Sequence, residues 1–201
     1  MLWLALNLVH PQTPQGADED YSVIREVGDR VPITGARDHV SLGDQLGVID
    51  VDRAAKVSGS RFGYLKGKGA LLEIALVRFA LDRTMARGFI PIIPPVLVRE
   101  EAMYGTGFFP TDEHETYKTA NDDLYLVGTS EVPLASMHSG ETLNELPLRY
   151  AAFSSCFRRE AGTYGKDTKG IVRLHQFEKV EMFIFCEPSD SDDLHRRAHR
   201  R

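Results

Sequence analysis

The sequence predicts an α+β domain built on a largely antiparallel sheet that is flanked by helices. Two long β-like runs, 148–159 and 171–185, are joined by a polar segment with three glycines, "EAGTYGKDTKG", which is typical of a hairpin loop. Helical segments lie between further short strands, without an internal repeat. With 42% hydrophobic and 26% charged residues, the 201-residue chain has the composition of a globular domain with a real core.

The chain divides into three segments. Residues 1–38 read as the end of a helix followed by a linker, because a short apolar run precedes a stretch rich in proline, glycine and aspartate. This run has no basic flank and no small-residue cleavage site, and it is far shorter than the roughly 20 residues that span a bilayer. We therefore expect neither a targeting signal nor a membrane span. Residues 39–190 are the predicted folded region, and 191–201 form a basic, solvated tail.

The first part of the folded region is predicted to be mainly helical. Apolar residues at helical spacing predict a helix over 41–59, and 60–70 reads as a short strand that ends in a glycine turn. The strongest helix pattern covers 70–89, and Gly88 suits the left-handed position that ends a helix. Four of its apolar residues lie close to one face: Leu71, Ile74, Leu81 and Met85.

Prolines interrupt the segment that follows this helix. The run "FIPIIPPVLV", 89–98, contains three prolines, which exclude a continuous central strand and favour an edge strand, a kink or an interface. The remaining elements are predicted in this order: a helix near 100–104, a loop over 105–117, a strand at 123–129, a helix at 130–140 and a strand at 146–160.

Charge, cysteines and histidines limit the classes of function. The net charge of −5 provides no overall basic field, so RNA binding is neither indicated nor excluded. The two cysteines, Cys156 and Cys186, stand apart and suit a reducing cytoplasm, where we expect structural thiols. The seven histidines form no HExxH motif and no zinc spacing with the cysteines, so we expect no protein metal site.

Ionisable residues alternate along the second long β-like run. In an extended strand one face would carry Arg173, His175, Phe177, Lys179 and Glu181. The other would carry mostly apolar residues: Val172, Leu174, Val180 and Met182. The charged face is either an ordinary solvated surface or a ligand-binding floor. In the second case arginine would hold a phosphate or carboxylate, Phe177 would stack on a planar base and Glu181 would take an ammonium.

Several motifs resemble those of class II aminoacyl-tRNA synthetases. The pattern "CFRRE", a loop and "RLHQFEKVEMF" is similar to motif 2, and "GFIPIIPPVLV" resembles motif 1, with its proline at Pro95. The segments "GTSEVPL", "VSGSRFGYLKGKGALLEIALVRFAL" and "MYGTGFFPTDEHETY" look like the seryl-tRNA synthetase family in particular. "NLVHPQTPQGADED" is similar to that family's connector between helical arm and catalytic domain. The resemblance implies a remnant of arm and connector over 1–38 and a partial class II catalytic core over 39–190.

The resemblance implies roles for four residues at an ATP site. Arg158 would hold the α-phosphate of ATP and act in catalysis, and Glu160 would approach the adenine amino group. Phe177 would stack on the adenine ring, and Arg173 would be a further phosphate contact.

The resemblance also implies a serine pocket. Thr129 and Glu131 of the "TSE" element would line it, and Glu181 would contact the substrate serine as well. A purely structural interpretation of "GTSE" stays open, because serine and threonine also cap helices and the two roles can coexist.

The implied activity is ATP-dependent activation of serine to seryl-adenylate and transfer of the seryl group to tRNA(Ser), by a cytoplasmic homodimer that associates through the motif 1 region. The resemblance also implies Mg²⁺, with ligands mostly in a motif 3 region that we do not find in these 201 residues. Nor do we find most of the helical arm, so the activity of this chain alone is open. Two alternatives remain: a non-catalytic paralogue or fragment that dimerises or binds nucleotide, and a ligase that loads an amino acid onto a carrier protein.

Overall fold

The computed structural model describes residues 9, 11, 13–17, 19–29, 31–161 and 170–198. The chain forms two units, Met1–Arg37 and Asp38–Arg201. The described residues of the first unit contain no helix or strand. This agrees with the linker-like composition of 11–20, whereas the predicted helix end before Asn7 lies outside the described residues.

The second unit contains all the regular elements of the described residues. Its helices are α1 (His39–Gln45), α2 (Val51–Ser58), α3 (Lys68–Met85), α4 (Glu100–Gly105), α5 (Glu131–Ser136) and α6 (Ser191–Ala198), with 3₁₀ turns at Glu113–Glu115 and Pro188–Asp190. Its strands are β1 (Ile49–Asp50), β2 (Tyr64–Leu65), β3 (Ile90–Ile92), β4 (Leu97–Arg99), β5 (Tyr117–Lys118), β6 (Leu124–Leu126), β7 (Leu148–Phe157) and β8 (Gln176–Phe185).

The central feature is the antiparallel pair of β7 and β8, with ten residues in each strand. Its register runs from Leu148 opposite Phe185 to Phe157 opposite Gln176. β3 lies parallel to β7 on the other side, so the sheet order is β3-β7-β8. The predicted α+β class with a largely antiparallel sheet is confirmed, whereas most of the predicted hairpin loop lies at 162–169, outside the described residues.

β8 begins later than the predicted run, which started at residue 171. Two backbone N–H groups of 171–175 donate to other parts of the chain instead of to β7. The N–H of Ile171 donates to Nε2 of His39, and the N–H of His175 donates to the carbonyl of Arg61. These tertiary contacts replace the strand ladder that the alternating sequence predicts.

The proline-containing segment supplies two short strands to two different sheets. β3, which contains Pro91, is an edge strand of the main sheet, as expected for a residue without a backbone N–H. β4 pairs with β6, and β6 pairs with β5, in a second antiparallel sheet of order β4-β6-β5. The segment from β3 to β4 therefore links the two sheets.

The single helix predicted over 41–59 is wrong: two helices with a short strand form there. Gly47, with φ of 65°, lies just after α1, and Asp50 then begins α2 by accepting the N–H of Arg53 at 3.0 Å. The Asp50 carboxylate also pairs with Lys66 and Arg53, each at 2.7 Å. Hydrogen bonds from Lys66 and Arg53 hold the pKa of Asp50 well below its usual range.

α3 confirms the strongest predicted helix, and Gly88 adopts the expected left-handed conformation with φ of 80°. Its apolar side chains are not all buried, however. Leu71 and Ile74 are each 65% exposed, and Phe79 is 59% exposed. α3 also contacts β7 and β8, so it packs on the sheet with part of its surface while much of its apolar surface faces outwards.

Two hydrophobic clusters lie on either side of the β6–α5 turn. One is built from β4, α4, β6 and the start of α5: Val98, Met103, Phe109, Tyr125, Val127 and Val132. The other joins the end of α5 to the main sheet: Leu134, Tyr150 and Ala152, with Ile92, Leu148, Phe183 and Phe185 against them. Because both clusters include residues of α5, the position of this helix over the sheet is fixed by packing.

The first eight residues of the predicted basic tail form α6, and 199–201 lie outside the described residues. An ion pair at 2.6 Å joins Arg197 to Asp193 one turn earlier. Among the helices that the structure describes, none is both long and apolar enough to cross a membrane.

Candidate active site

The turn between β6 and α5 brings Thr129, Ser130 and Glu131 against the main sheet. Thr129 and Ser130 are buried, whereas Glu131 is exposed in the first turn of α5. Ser130 precedes the helix but makes no capping hydrogen bond, and its hydroxyl pairs with that of Ser154 at 2.7 Å. Only the bond from the N–H of Glu131 to Oγ1 of Thr129, at 3.3 Å, resembles a cap. Helix capping alone therefore does not explain the "TSE" element.

Thr129, Lys179 and Glu181 form one hydrogen-bonded cluster. The hydroxyl of Thr129 donates to Oε2 of Glu181 at 2.9 Å and accepts from Nζ of Lys179 at 2.9 Å. Lys179 and Glu181 also form a direct ion pair. The structure thus joins two predicted pocket residues, Thr129 and Glu181, and adds Lys179, whose contact with them the sequence did not predict.

Arg158 and Phe177 contact each other next to this cluster. Phe177 lies on the face of β8 that also carries Lys179 and Glu181. The guanidinium carbon of Arg158 lies 5.2 Å from the centre of the Phe177 ring, and Nε of Arg158 donates to the carbonyl of Gly128 at 3.1 Å. Phe177 pairs with Cys156 of the neighbouring strand. It lies two positions before Lys179 in β8, so the two side chains share one face of the sheet. A cation on an aromatic face combines a phosphate-binding group with a stacking surface.

Glu160 and Arg173 form an ion pair just beyond the ends of the two long strands. Nε of Arg173 lies 2.8 Å from Oε2 of Glu160, whose side chain is only 8% exposed. Glu160 adopts a left-handed backbone with φ of 52°, which is uncommon for a residue other than glycine. The two residues predicted to contact the base and a phosphate of ATP are therefore each other's partners in this structure.

A small hydrogen-bond network fixes the place where β7 ends. The N–H of Arg158 donates to the carbonyl of His175 at 3.0 Å, and Nδ1 of His175 lies 3.0 Å from the carbonyl of Arg158. The turn after α2 closes the network, since Arg61 accepts from the N–H of His175 and donates Nη1–H to the carbonyl of Glu160. His175 also contacts the ring of Phe62, with 5.2 Å between ring centres. The sequence did not predict site roles for Arg61 or Phe62.

A cavity of about 310 Å³ opens beside Arg158, Glu160 and Arg173. Its other walls are Phe108, Asp112, Glu115, Thr116, Gly128 and Phe157. Glu115 anchors the chain after β7, because its carbonyl accepts from the N–H of Arg159 and its carboxylate accepts from the N–H of Ala161. Sequence reasoning missed Glu115, which lies in a loop without periodic pattern, so only the resemblance of "MYGTGFFPTDEHETY" as a whole pointed to this segment.

The charged face of β8 is partly buried. The side chain of Lys179 is 33% exposed and that of Glu181 is 22% exposed, whereas Met182, predicted on the apolar face, is 40% exposed. α5 contacts β8, and this explains why the charged residues are partly buried beside a hydrophobic cluster. Of the two interpretations left open by the alternation, a ligand-binding floor agrees better with this burial.

The two cysteines are unpaired, and Cys156 is buried in β7 directly opposite Phe177 of β8. Burial raises the pKa of the Cys156 thiol. This environment agrees with the structural role that we expected. Within the part of the chain that the structure describes, no three histidine, cysteine or carboxylate side chains converge in a way that could hold a metal ion.

Comparisons with known proteins agree with this arrangement. The model of the tRNA synthetase class II core domain (G, H, P, S and T) matches residues 114–200. A serine–tRNA ligase of Mycobacterium avium is 54% identical over 193 residues, which are 95% of this chain and 45% of that protein. The chain is similar to seryl-tRNA synthetases over nearly its whole length. A second such relative, from Mycobacterium marinum, is also 54% identical, over 95% of this chain and 46% of its own length.

Two solved seryl-tRNA synthetase structures share the fold. The Pyrococcus horikoshii enzyme complexed with ATP superposes with a TM-score of 0.89 and 42% identity, over 98% of this chain and 49% of that one. The cytoplasmic serine–tRNA ligase of Naegleria fowleri in complex with AMP gives a TM-score of 0.90 and 32% identity, over 97% and 48%. The predicted class II synthetase fold is therefore confirmed. The chain spans about half the length of the seryl-tRNA synthetases that it matches.

Proposed function

We propose that this chain carries serine- and ATP-binding residues of a serine–tRNA ligase, which activates serine to seryl-adenylate and transfers the seryl group to a tRNA(Ser) hydroxyl, with AMP as the leaving group. The observation that carries the proposal is the shared face of β8. There the Thr129–Glu181 pair lies beside the Arg158–Phe177 pair. An acceptor for an ammonium and a hydroxyl thus adjoins a cation for a phosphate and a ring for a base.

Serine is the substrate that suits the proposed pocket. Its side chain offers little apolar area, so selection must rest on its hydroxyl and ammonium groups. Glu181 supplies an anionic acceptor that is largely shielded from water, and Thr129 holds one of its oxygens in place at 2.9 Å. Glu131 is proposed to line the same pocket from the first turn of α5, where its backbone N–H donates to Oγ1 of Thr129.

ATP is proposed to bind over Phe177, with its α-phosphate against Arg158. The serine carboxylate then attacks the α-phosphorus in line, and pyrophosphate leaves. No side chain forms a covalent intermediate, so the protein acts by positioning the reactants and by stabilising negative charge. Arg158 has this catalytic role in the proposal, while Glu160 contacts the base and Arg173 provides a further phosphate contact near the same cavity.

Mg²⁺ and a cytoplasmic location complete the proposal. The described residues do not bring three candidate metal ligands together, so we assign no magnesium-dependent step to the side chains of this chain. The free thiols of Cys156 and Cys186 agree with a reducing compartment, and a tRNA substrate is found in the cytoplasm.

We also propose a homodimer formed through α3 and the 89–98 segment, which corresponds to motif 1. The outward apolar side chains of this region support it, since Ile74 and Phe79 on α3 and Ile93 after β3 are 59–86% exposed. Apolar surface of this kind usually marks an interaction site. A second copy of the same chain would cover it in a symmetric, self-complementary contact.

The test is serine-dependent ATP/pyrophosphate exchange on the 201-residue chain. Exchange with serine, but not with threonine, alanine or glycine, would support the proposal, and Arg158→Ala should abolish it. Absence of exchange from a folded chain would contradict serine activation by this chain. If such an inactive chain still dimerised, the non-catalytic alternative would be favoured.

A further inference from the structure

The Thr129–Lys179–Glu181 cluster contains an ammonium group where the proposed substrate would place its own. Nζ of Lys179 donates to Oγ1 of Thr129 at 2.9 Å and is ion-paired with Oε2 of Glu181. An amino acid substrate presents the same chemical group, a primary ammonium with three donors. Lys179 therefore already occupies, with its own ammonium, Oε2 of Glu181 and the hydroxyl of Thr129, two of the acceptors that are proposed to bind serine.

The hydroxyl of Thr129 has no capacity for another partner. A hydroxyl has one donor and two acceptor positions. Its donor is used by Glu181, and its acceptors are used by Lys179 and by the N–H of Glu131 at 3.3 Å. An arriving ammonium can therefore bind this hydroxyl only by taking the place of a donor that is already there.

Lys179 is the donor that is able to leave. Glu131 donates through its backbone at the start of α5, and this helix is held by two hydrophobic clusters. Lys179 reaches the cluster through a flexible four-carbon stem, and its side chain is 33% exposed. Two ammonium groups within hydrogen-bonding distance of one carboxylate oxygen would also repel each other.

We propose that Lys179 competes with the substrate ammonium for Glu181 and Thr129 and thereby limits how strongly the site prefers a ligand with an ammonium. In the free chain Lys179 stabilises the shielded carboxylate of Glu181 and keeps Thr129 oriented. On binding, the ammonium of serine displaces it, so only a ligand with its own ammonium compensates for the lost ion pair. A ligand without an ammonium leaves Lys179 in place. This inference rests on the proposed function, because it assumes that Glu181 receives the serine ammonium.

The experiment compares two non-hydrolysable adenylate analogues, 5′-O-(N-seryl)sulfamoyl adenosine and its 3-hydroxypropionyl counterpart, which lacks the ammonium. Their dissociation constants are measured by calorimetry with the wild-type chain and with Lys179→Met. If Lys179 competes, its removal favours only the analogue with an ammonium, and the preference for that analogue rises about tenfold, as expected for one charge-assisted hydrogen bond. Lys179→Arg, which retains a competing cation, should keep a preference close to the wild-type value.

The opposite result is equally clear. If Lys179 merely orients Glu181, Lys179→Met will lower the preference for the ammonium analogue or leave it unchanged, and the proposal is overturned. Lys118→Met is the matched control, because Lys118 pairs with Asp123 away from the site and should leave the preference unchanged. If neither analogue binds to the folded wild-type chain, the proposed function fails and this inference fails with it. Binding of both with the wrong direction of change overturns the inference alone.

Discussion

Arg61 and Glu160, 99 positions apart in the chain, both adopt a left-handed backbone, and Nη1 of Arg61 donates to the carbonyl of Glu160 at 3.2 Å. Left-handed backbone at a residue other than glycine costs on the order of 1–3 kcal/mol. The contacts between the turn after α2 and the end of β7 must offset this cost. The segment 60–62 is therefore part of the frame that positions the proposed ATP-binding residues.

Arg61→Asn tests this frame. Asparagine tolerates left-handed backbone but cannot make the guanidinium contact. We expect ATP to bind about fivefold to tenfold more weakly, with a loss of about 1 kcal/mol in the free energy of unfolding. Calorimetric ATP titration and urea unfolding measure the two effects. Arg78→Asn, at an exposed position of α3, is the control. Unchanged ATP affinity in a folded Arg61→Asn chain would contradict the role.

The buried hydroxyl pair of Ser130 and Ser154 should behave as a unit. Ser154→Ala leaves the hydroxyl of Ser130 buried without this partner, which we expect to cost about 1–3 kcal/mol of unfolding free energy. The double variant Ser130→Ala with Ser154→Ala should cost less than the sum of the single variants, because no polar group is then left unpaired. Urea unfolding of the four proteins measures this coupling, and strict additivity would show that the pair is unimportant.

Asp50 should contribute to the pH dependence of stability. Its pKa is lowered in the folded state, so its contribution is fully present at neutral pH and is lost as the pH falls through and below the ordinary carboxyl range, near pH 4. Asp50→Asn should therefore be less stable than the wild type at pH 7, and the difference should shrink as the solution is acidified. Thermal unfolding at several pH values tests this, and a difference that is constant with pH would contradict it.

Ile74→Glu tests the proposed dimer. A carboxylate on the outward apolar surface of α3 would have to be desolvated in the interface, so we expect the dimer to dissociate into folded monomers. Sedimentation velocity measures the oligomeric state, and circular dichroism confirms the fold. Lys56→Glu, on an exposed position of α2, should not alter the oligomeric state. A dimer that persists in Ile74→Glu would place the interface elsewhere.

The strands and helices were largely predictable, because local periodicity specified them. β7 and β8 follow the alternating pattern of their sequence, and α3 ends close to Gly88. The break between α1 and α2 was missed even though Gly47 and the capping residue Asp50 are visible in the sequence. The start of β8 depends on contacts with Arg61 and His39, which no local pattern contains.

The candidate site shows a similar division. Alternation along β8 indicated that Phe177, Lys179 and Glu181 share one face, and the structure retains this. The link from Glu181 to Thr129 spans 52 positions and came only from the resemblance to a known family. Lys179 was not predicted as a partner of Thr129 and Glu181, because the sequence does not show which groups the flexible side chain of a strand lysine contacts.

The sheet order β3-β7-β8 leaves β8 with a neighbour on one side only within the described residues. Its outer rim is a row of peptide groups over ten residues, and another extended chain can use such a row as a template. We therefore expect molecules of this chain to associate through the edge of β8, and to do so more as the protein concentration rises. Preparations of this chain should therefore be followed by light scattering from the first purification step, with dilution as the simplest remedy.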